Sequence, residues 1–340
     1  MTAEIGLHLG TRNLRLCHRK KQSIFCSPNI IARVKNGSGR IELKFGEDAH
    51  VMLGKAHPGL ELVRPVSGGT VSNMTLLEEE LQNVFQTFFG NFKLIKPNVA
   101  CSIPTGANNV EQRMLSSLLR NCGAQEVFLF PATLLAGISQ ALPVFEPRGH
   151  MIVYTGAGFT DVAVVSLGGI VVSDTVKIAG DELNEAIIWG VRRRNDLLIG
   201  EVTAEEVKCR LDLSGNSQSA VPLRGKDFAS GLPREISVSV SDLCLYMSDA
   251  INAIMSCVKS VLAKTPPELL SDIVEEGIWL CGGTSKLVGF PELLQKETAL
   301  GVRQMESPEF CIIHGLLKLI SNKDMMRMSL RKDFGMHSSS

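Results

Sequence analysis

The sequence predicts an α/β protein of two duplicated lobes facing each other across a cleft. Its 340 residues amount to roughly two domains at about 150 residues each. Two segments share one layout, a strand, a glycine turn and an alternating strand. Amphipathic helical stripes fill most of what lies between and after them.

The first such segment is 5–16, with its turn at Gly10-Thr11-Arg12-Asn13, and a further strand follows at 23–31. The second is 151–165, with its turn at Gly156-Ala157-Gly158, followed by a strand at 169–173. From the turns alone, two unrelated hairpins explain this pattern as well as a duplication does. Residues 75–89 carry apolar positions at Leu77, Leu81, Val84, Phe85 and Phe88, a helical stripe with Thr75 as its N-cap. Residues 111–122 form a similar helix and stop at Gly123, a suitable residue just past a helix end. Further helices are expected over 181–194, 203–211 and 242–264, the last halted by Pro266 and Pro267. Ser, Gly, Pro and basic residues between 214 and 234 suggest a loop with one strand. The polar tail from 321, ending in three serines, suggests a frayed end, with Met325, Met326 and Met328 as residues of that tail.

Composition excludes several classes. With 35 basic and 35 acidic residues the net charge is zero, so the long-range field that general nucleic-acid binders use is absent. The nine cysteines have no C-x-x-C spacing and the seven histidines no H-x-x-x-H pair. That suggests reduced, buried thiols in a cytoplasmic protein, with neither a disulfide frame nor a protein-built metal site. The most apolar stretch, 151–173, is interrupted by Asp161 and several glycines, so it reads as strands and not as a membrane span.

Several runs are more specific. They include Ile178-Ala179-Gly180-Asp181-Glu182-Leu183-Asn184, Leu198-Ile199-Gly200-Glu201-Val202-Thr203-Ala204-Glu205-Glu206-Val207-Lys208, Lys264-Thr265-Pro266-Pro267-Glu268-Leu269 and Trp279-Leu280-Cys281-Gly282-Gly283. Together with Met52-Leu53-Gly54-Lys55 and Val110-Glu111-Gln112-Arg113, these resemble MreB, the bacterial actin homologue. The resemblance implies an actin-like fold with a nucleotide cleft. Lobe I would be 1–142 with a small subdomain inserted at about 28–72. Lobe II would be 143–320 with another at about 182–242, and 321–340 a flexible tail.

The chemistry implied by the resemblance is only partly kept. In the family, backbone N–H groups of the two turns hold the nucleotide phosphates, an anion nest. Here those turns are Thr11, Arg12 and Asn13, and Gly156, Ala157 and Gly158. The family holds Mg²⁺ near an Asp on each lobe's first strand, and a Glu polarises the attacking water. The matching positions are His8, Tyr154 and Pro131. An imidazole and a protonated phenol do not rebuild a Mg²⁺ site, and Phe159 is expected to add bulk beside the second turn. Asp161 falls outside the phosphate ring. On the nucleoside side, Glu205, Glu206, Val207 and Lys208 match the positions bordering base and ribose, and Gly282, Gly283, Thr284 and Ser285 match the turn under the adenosine. ATP is therefore expected to bind weakly or as a structural filler, with hydrolysis impaired or absent. Retention of these residues for helix packing alone explains them equally.

One loop, 88–97, is the other candidate. Phe92, Leu94 and Ile95, flanked by Lys93 and Lys96, lie where MreB-like proteins carry a membrane-inserting loop, and lysines suit anionic headgroups. Phe88 and Phe89 are expected to pack onto the domain. The whole then reads as a filament subunit at the inner face of the cell membrane, involved in cell shape. Its partners would be further copies of itself or an active MreB paralogue, and no nucleic acid. The rival readings are a working ATPase using unrecognised ligands and a membrane adaptor that does not polymerise.

Overall fold

The computed structural model describes residues 2–331 except 36, 38, 56–57, 90–95 and 215–218. The first half begins as a meander, β1 (Ile5–Leu9), β2 (Asn13–His18) and β3 (Ser23–Pro28). A small unit follows, of β4 (Ile31–Lys35), β5 (Ile41–Phe45), α1 (Glu47–His50) and β6 (Leu60–Val63), then the short hairpin β7 (Val66–Ser67) and β8 (Thr70–Val71). The chain returns through α2 (Met74–Phe89), β9 (Val99–Ile103), α3 (Asn109–Asn121), β10 (Val127–Pro131) and α4 (Ala132–Ser139).

The second half repeats the plan with β11 (His150–Thr155), β12 (Thr160–Ser166), β13 (Gly169–Val176) and α5 (Gly180–Asn195). Its additional unit holds β14 (Leu197–Leu198), α6 (Glu201–Arg210), β15 (Ala220–Asp227) and β16 (Pro233–Ser239). The long α7 (Val240–Lys264) leads to α8 (Pro267–Glu276), β17 (Ile278–Cys281), α9 (Phe290–Thr298), β18 (Val302–Gln304), α10 (Cys311–Ser321) and α11 (Lys323–Arg331).

The two five-stranded sheets have the order β10-β9-β1-β2-β3 and β18-β17-β11-β12-β13. In each, an antiparallel meander is extended by two parallel strands. The shared order and sense of both sheets decide between duplication and two unrelated hairpins. Central strands β1 and β11 are buried on both faces, which is why they read as nearly unbroken apolar runs. Helices α4 and α10 pair between the sheets, and a Cβ on Gly315 would lie 1.9 Å from the Leu135 carbonyl oxygen. Only glycine permits that approach.

Some elements differ from the sequence reading, each for a local reason. The strand expected over 23–31 breaks at Asn29, whose backbone N–H and side-chain amide donate to the carbonyls of Arg12 and Gly10. Helix α2 is capped by Asn73, whose Oδ1 accepts from the Leu76 N–H at 3.1 Å, so Thr75 lies inside the first turn. The supposed loop with one strand contains the β15–β16 hairpin; its largely exposed residues leave little apolar alternation to read. The tail continues as α11, with Met326 only 1% exposed and packed with Met325 and Leu330 on the core between the sheets. Helix α4 escaped notice because it is buried all round and has no polar face to set a period.

Candidate functional site

A cleft of about 500 Å³ opens between the two sheets, within the range of small-molecule sites. Its first wall is the β1–β2 turn. The Gly10 N–H donates to the Asn13 carbonyl at 3.0 Å, and buried Asn29 fastens the same turn from below at 2.9 and 2.7 Å. Its second wall is the β11–β12 turn, closed by the Gly156 N–H on the Phe159 carbonyl at 3.0 Å. The start of α5 holds this turn, with the Asp181 N–H donating to the Ala157 carbonyl at 2.7 Å. Thr284 adds its hydroxyl to the Gly156 carbonyl at 2.6 Å. The two turns nearly touch, since a Cβ on Gly158 would sit 2.4 Å from Thr11 Oγ1 and 2.9 Å from the Gly68 nitrogen.

The back wall comes from α6. Residues 205 and 208 are three apart and share a face. Lys208 Nζ donates to the Gly180 carbonyl at 2.9 Å and to Glu205 Oε2 at 3.0 Å. The Asn184 amide donates to the same carboxylate oxygen at 2.7 Å. Burial opposes the charge on Glu205, but Lys208, these hydrogen bonds and Arg12 hold its carboxyl below the usual range.

Arg12 crosses the mouth of the cleft. Its Nε donates to Asp181 Oδ1 at 2.6 Å, its Nη1 meets Glu201, and Glu205 lies 3.8 Å away. Arg64 shares Glu201, at 2.9 Å. At the floor, His8 of β1 faces Arg15 of β2 in the antiparallel register. Burial, and then the charge of Arg15, depress the His8 pKa to about 3, so its imidazole is neutral. It shares a 2.7 Å hydrogen bond with the Ser102 hydroxyl. Burial raises the Tyr154 phenol above its ordinary range, keeping it protonated. Its ring lies 5.3 Å from that of Phe159.

Of the residues singled out from sequence, Thr11, Arg12, Asn13, Gly156, Ala157, Glu205, Lys208, Gly283 and Thr284 line this cleft, as do His8 and Tyr154. The others lie elsewhere. Glu206 is exposed and Val207 is 5% exposed in the core of the second lobe, because consecutive helical residues point 100° apart. Ser285 is buried beneath the turn, donating to the Gly282 carbonyl at 2.7 Å. Gly282 is where the chain passes Thr155: with φ of 94°, a Cβ there would lie 2.1 Å from the Thr155 carbonyl oxygen. Phe159, expected as bulk beside the phosphates, turns away from the cleft toward Gly69 and Pro104. Pro131 precedes α4, where the Thr133 hydroxyl bonds Thr105 at 2.8 Å. Phe92, Leu94 and Ile95 lie outside the described residues; Phe88 and Phe89 meet edge to face, with Phe25 and His18 beside them.

Asp161 is fully buried at the seam between the lobes. It accepts from the Thr105 N–H at 2.8 Å, the Thr105 hydroxyl at 2.6 Å and the Thr175 hydroxyl at 2.7 Å. Burial pushes its carboxyl up to about 6 against those bonds. Sequence reading missed the side chains of Arg15, Arg64 and Glu201. Arg15 carries a signal, a charge between Leu14 and Leu16 in the middle of its strand. Among the described residues no group of three or more His, Cys, Asp or Glu could hold a metal ion, and a neutral imidazole, a protonated phenol and a guanidinium do not suit Mg²⁺. No described helix is long and apolar enough to cross a membrane.

Residues 2–328 match the family model described as MreB/Mbl protein. The chain is 32% identical over 325 residues to the cell shape-determining protein Mbl of Bacillus subtilis (strain 168), covering 95% of this chain and 97% of the relative. It is 34% identical over 327 residues to the cell shape-determining protein MreB of Escherichia coli (strain K12), covering 95% and 94%. In three dimensions it is similar to MreB5 of Spiroplasma citri bound to AMPPNP, with a TM-score of 0.87 and 26% identity over 98% of both chains. The MamK double helical filament, at 16% identity over 94% and 98% with a TM-score of 0.75, shares the fold.

Proposed function

The chain belongs to the MreB/Mbl family of actin-like fold, and from that premise we propose that it is a cell-shape-determining cytoskeletal subunit that binds a nucleotide but hydrolyses it poorly or not at all. It assembles head to tail into filaments, a contact that does not close on itself, with further copies of itself or with an active paralogue. It works in the cytoplasm at the inner face of the cell membrane, which it meets through Phe92, Leu94 and Ile95. The division into lobe I (1–142), lobe II (143–320) and inserted units at about 28–72 and 182–242 belongs to the same reading.

One observation carries it. The cleft keeps two pinned turns and the Asn184–Glu205–Lys208 wall, which supports nucleoside binding. The N–H groups of Thr11, Arg12, Ala157 and Gly158 donate to no other group among the described residues, which suits phosphate oxygens. The three positions that would orient metal and water are His8, Tyr154 and Pro131. Without them both electrostatic contributions to phosphoryl transfer are missing.

Pelleting of the purified chain with and without ATP, combined with phosphate release and flotation on anionic liposomes, tests this reading. Polymer and liposome binding without magnesium-dependent phosphate release are expected. Magnesium-dependent turnover would establish a working ATPase instead, and liposome binding without polymer would establish an adaptor.

A further inference from the structure

Arg15 is a buried cation that pairs directly with no acid among the described residues. It is 8% exposed, lines the floor of the cleft with Tyr154 and Gly156, and stands 4.8 Å from the centre of the Phe310 ring. Its Nε is buried without a hydrogen-bond acceptor, and it makes no ion pair among the described residues. Glu309 on the cleft wall is near enough to feel the charge of Arg15, but the two form no ion pair. A buried cation without a directly bonded anion is costly, so this geometry suits a negative group arriving from the cleft. A divalent cation on that floor would meet the guanidinium's repulsion, and Glu309 is already paired with Lys286 at 3.0 Å. Arg12, 22% exposed at the rim, is a second guanidinium aimed over the same space. It is held now by Asp181 and Glu201, whose oxygens a phosphate can replace. Planar guanidinium groups match phosphate oxygens two at a time.

We infer that the cleft takes a polyphosphate free of metal, with Arg15 on the floor and Arg12 at the rim supplying the charge that a divalent cation would otherwise bring. For the ligand to be a nucleotide, this rests on the reading of the nucleoside wall given above. The polyphosphate part stands on the two arginines alone. Magnesium then competes with binding, because it occupies the oxygens the arginines need.

Titration calorimetry of the full chain with ATP and with inorganic tripolyphosphate, each in EDTA and in excess magnesium, tests the inference. Both ligands are expected to bind in EDTA and to lose at least tenfold in affinity in magnesium. Arg15→Met is expected to lose at least tenfold for both in EDTA while its melting temperature holds or rises. Arg12→Gln, at the more exposed rim, repeats the loss should Arg15→Met fail to fold. ATP binding that requires magnesium, or that survives both substitutions, overturns the inference and leaves the nucleotide reading intact. Tripolyphosphate bound in EDTA as tightly as ATP upholds the inference and removes the nucleoside wall from the reading. No binding of either ligand in any buffer overturns both.

Discussion

Glu80 on α2 is 1% exposed, and neither carboxylate oxygen has a hydrogen-bond partner among the described residues. Burial alone pushes its carboxyl up to about 8, from an ordinary value of 4.5. The folded chain therefore holds this proton over a range in which the unfolded chain has lost it. Stability falls as pH rises between those two values and levels off above the upper one. Replacing the acid with an amide removes the titration. Glu80→Gln is expected to stabilise the protein by about 1–3 kcal/mol above pH 8, the order of cost of an unsatisfied buried polar group, and to gain much less at pH 5. Urea midpoints at pH 5 and pH 9 check this, and an equal difference at both would refute it. Arg15 is the complementary case, a buried charge with no directly paired acid among the described residues.

At the scale of elements, Met326 and Met328 of α11 are two residues apart and face opposite environments, 1% and 42% exposed. Met326→Ala is expected to cost about 2–5 kcal/mol, the range for removing a buried methionine side chain. Met328→Ala should stay within about 0.5 kcal/mol. Equal denaturation midpoints for the two variants would mean that α11 is not docked. Polarity concealed this helix from sequence reading, since a short amphipathic segment beside three serines resembles a fraying end. The legible elements had marked turns or stripes: the glycine turns that join β1 to β2 and β11 to β12, and the apolar stripe of α3 with its Gly123 stop. Helix α4 and hairpin β15–β16 lacked that contrast, one apolar all round and the other largely exposed. The cleft was half legible for a related reason. A motif run names four consecutive residues of α6, but helical geometry sends only Glu205 and Lys208 to the wall. The turns likewise advertised their backbones, whereas what distinguishes this floor is the side chain of Arg15, two residues beyond the turn.

Across the whole molecule, the two lobes are joined differently at the two ends of the cleft. At the base, Asp161 bonds Thr105 through its N–H and its hydroxyl, with no exposure to water. At the mouth, Arg12 and Arg64 from one side grip Asp181 and Glu201 from the other, all 20–36% exposed on their side chains. Single exposed ion pairs contribute only about 0.2–1 kcal/mol, but Glu201 is shared by both arginines, so one change loosens two contacts. The buried end is insulated from salt, while the mouth is not, because about 1 M salt cuts the Debye length to about 3 Å. Opening should therefore be a rotation about the base that begins at Arg12. Glu201→Gln is expected to increase the radius of gyration measured by X-ray scattering at low salt, and the parent protein in about 1 M NaCl should move the same way. The variant should show little further change with salt, because its principal shared acid is already gone. Superimposable scattering from parent and variant at every salt concentration would show that the mouth is held by the packed core beneath it and not by these charges.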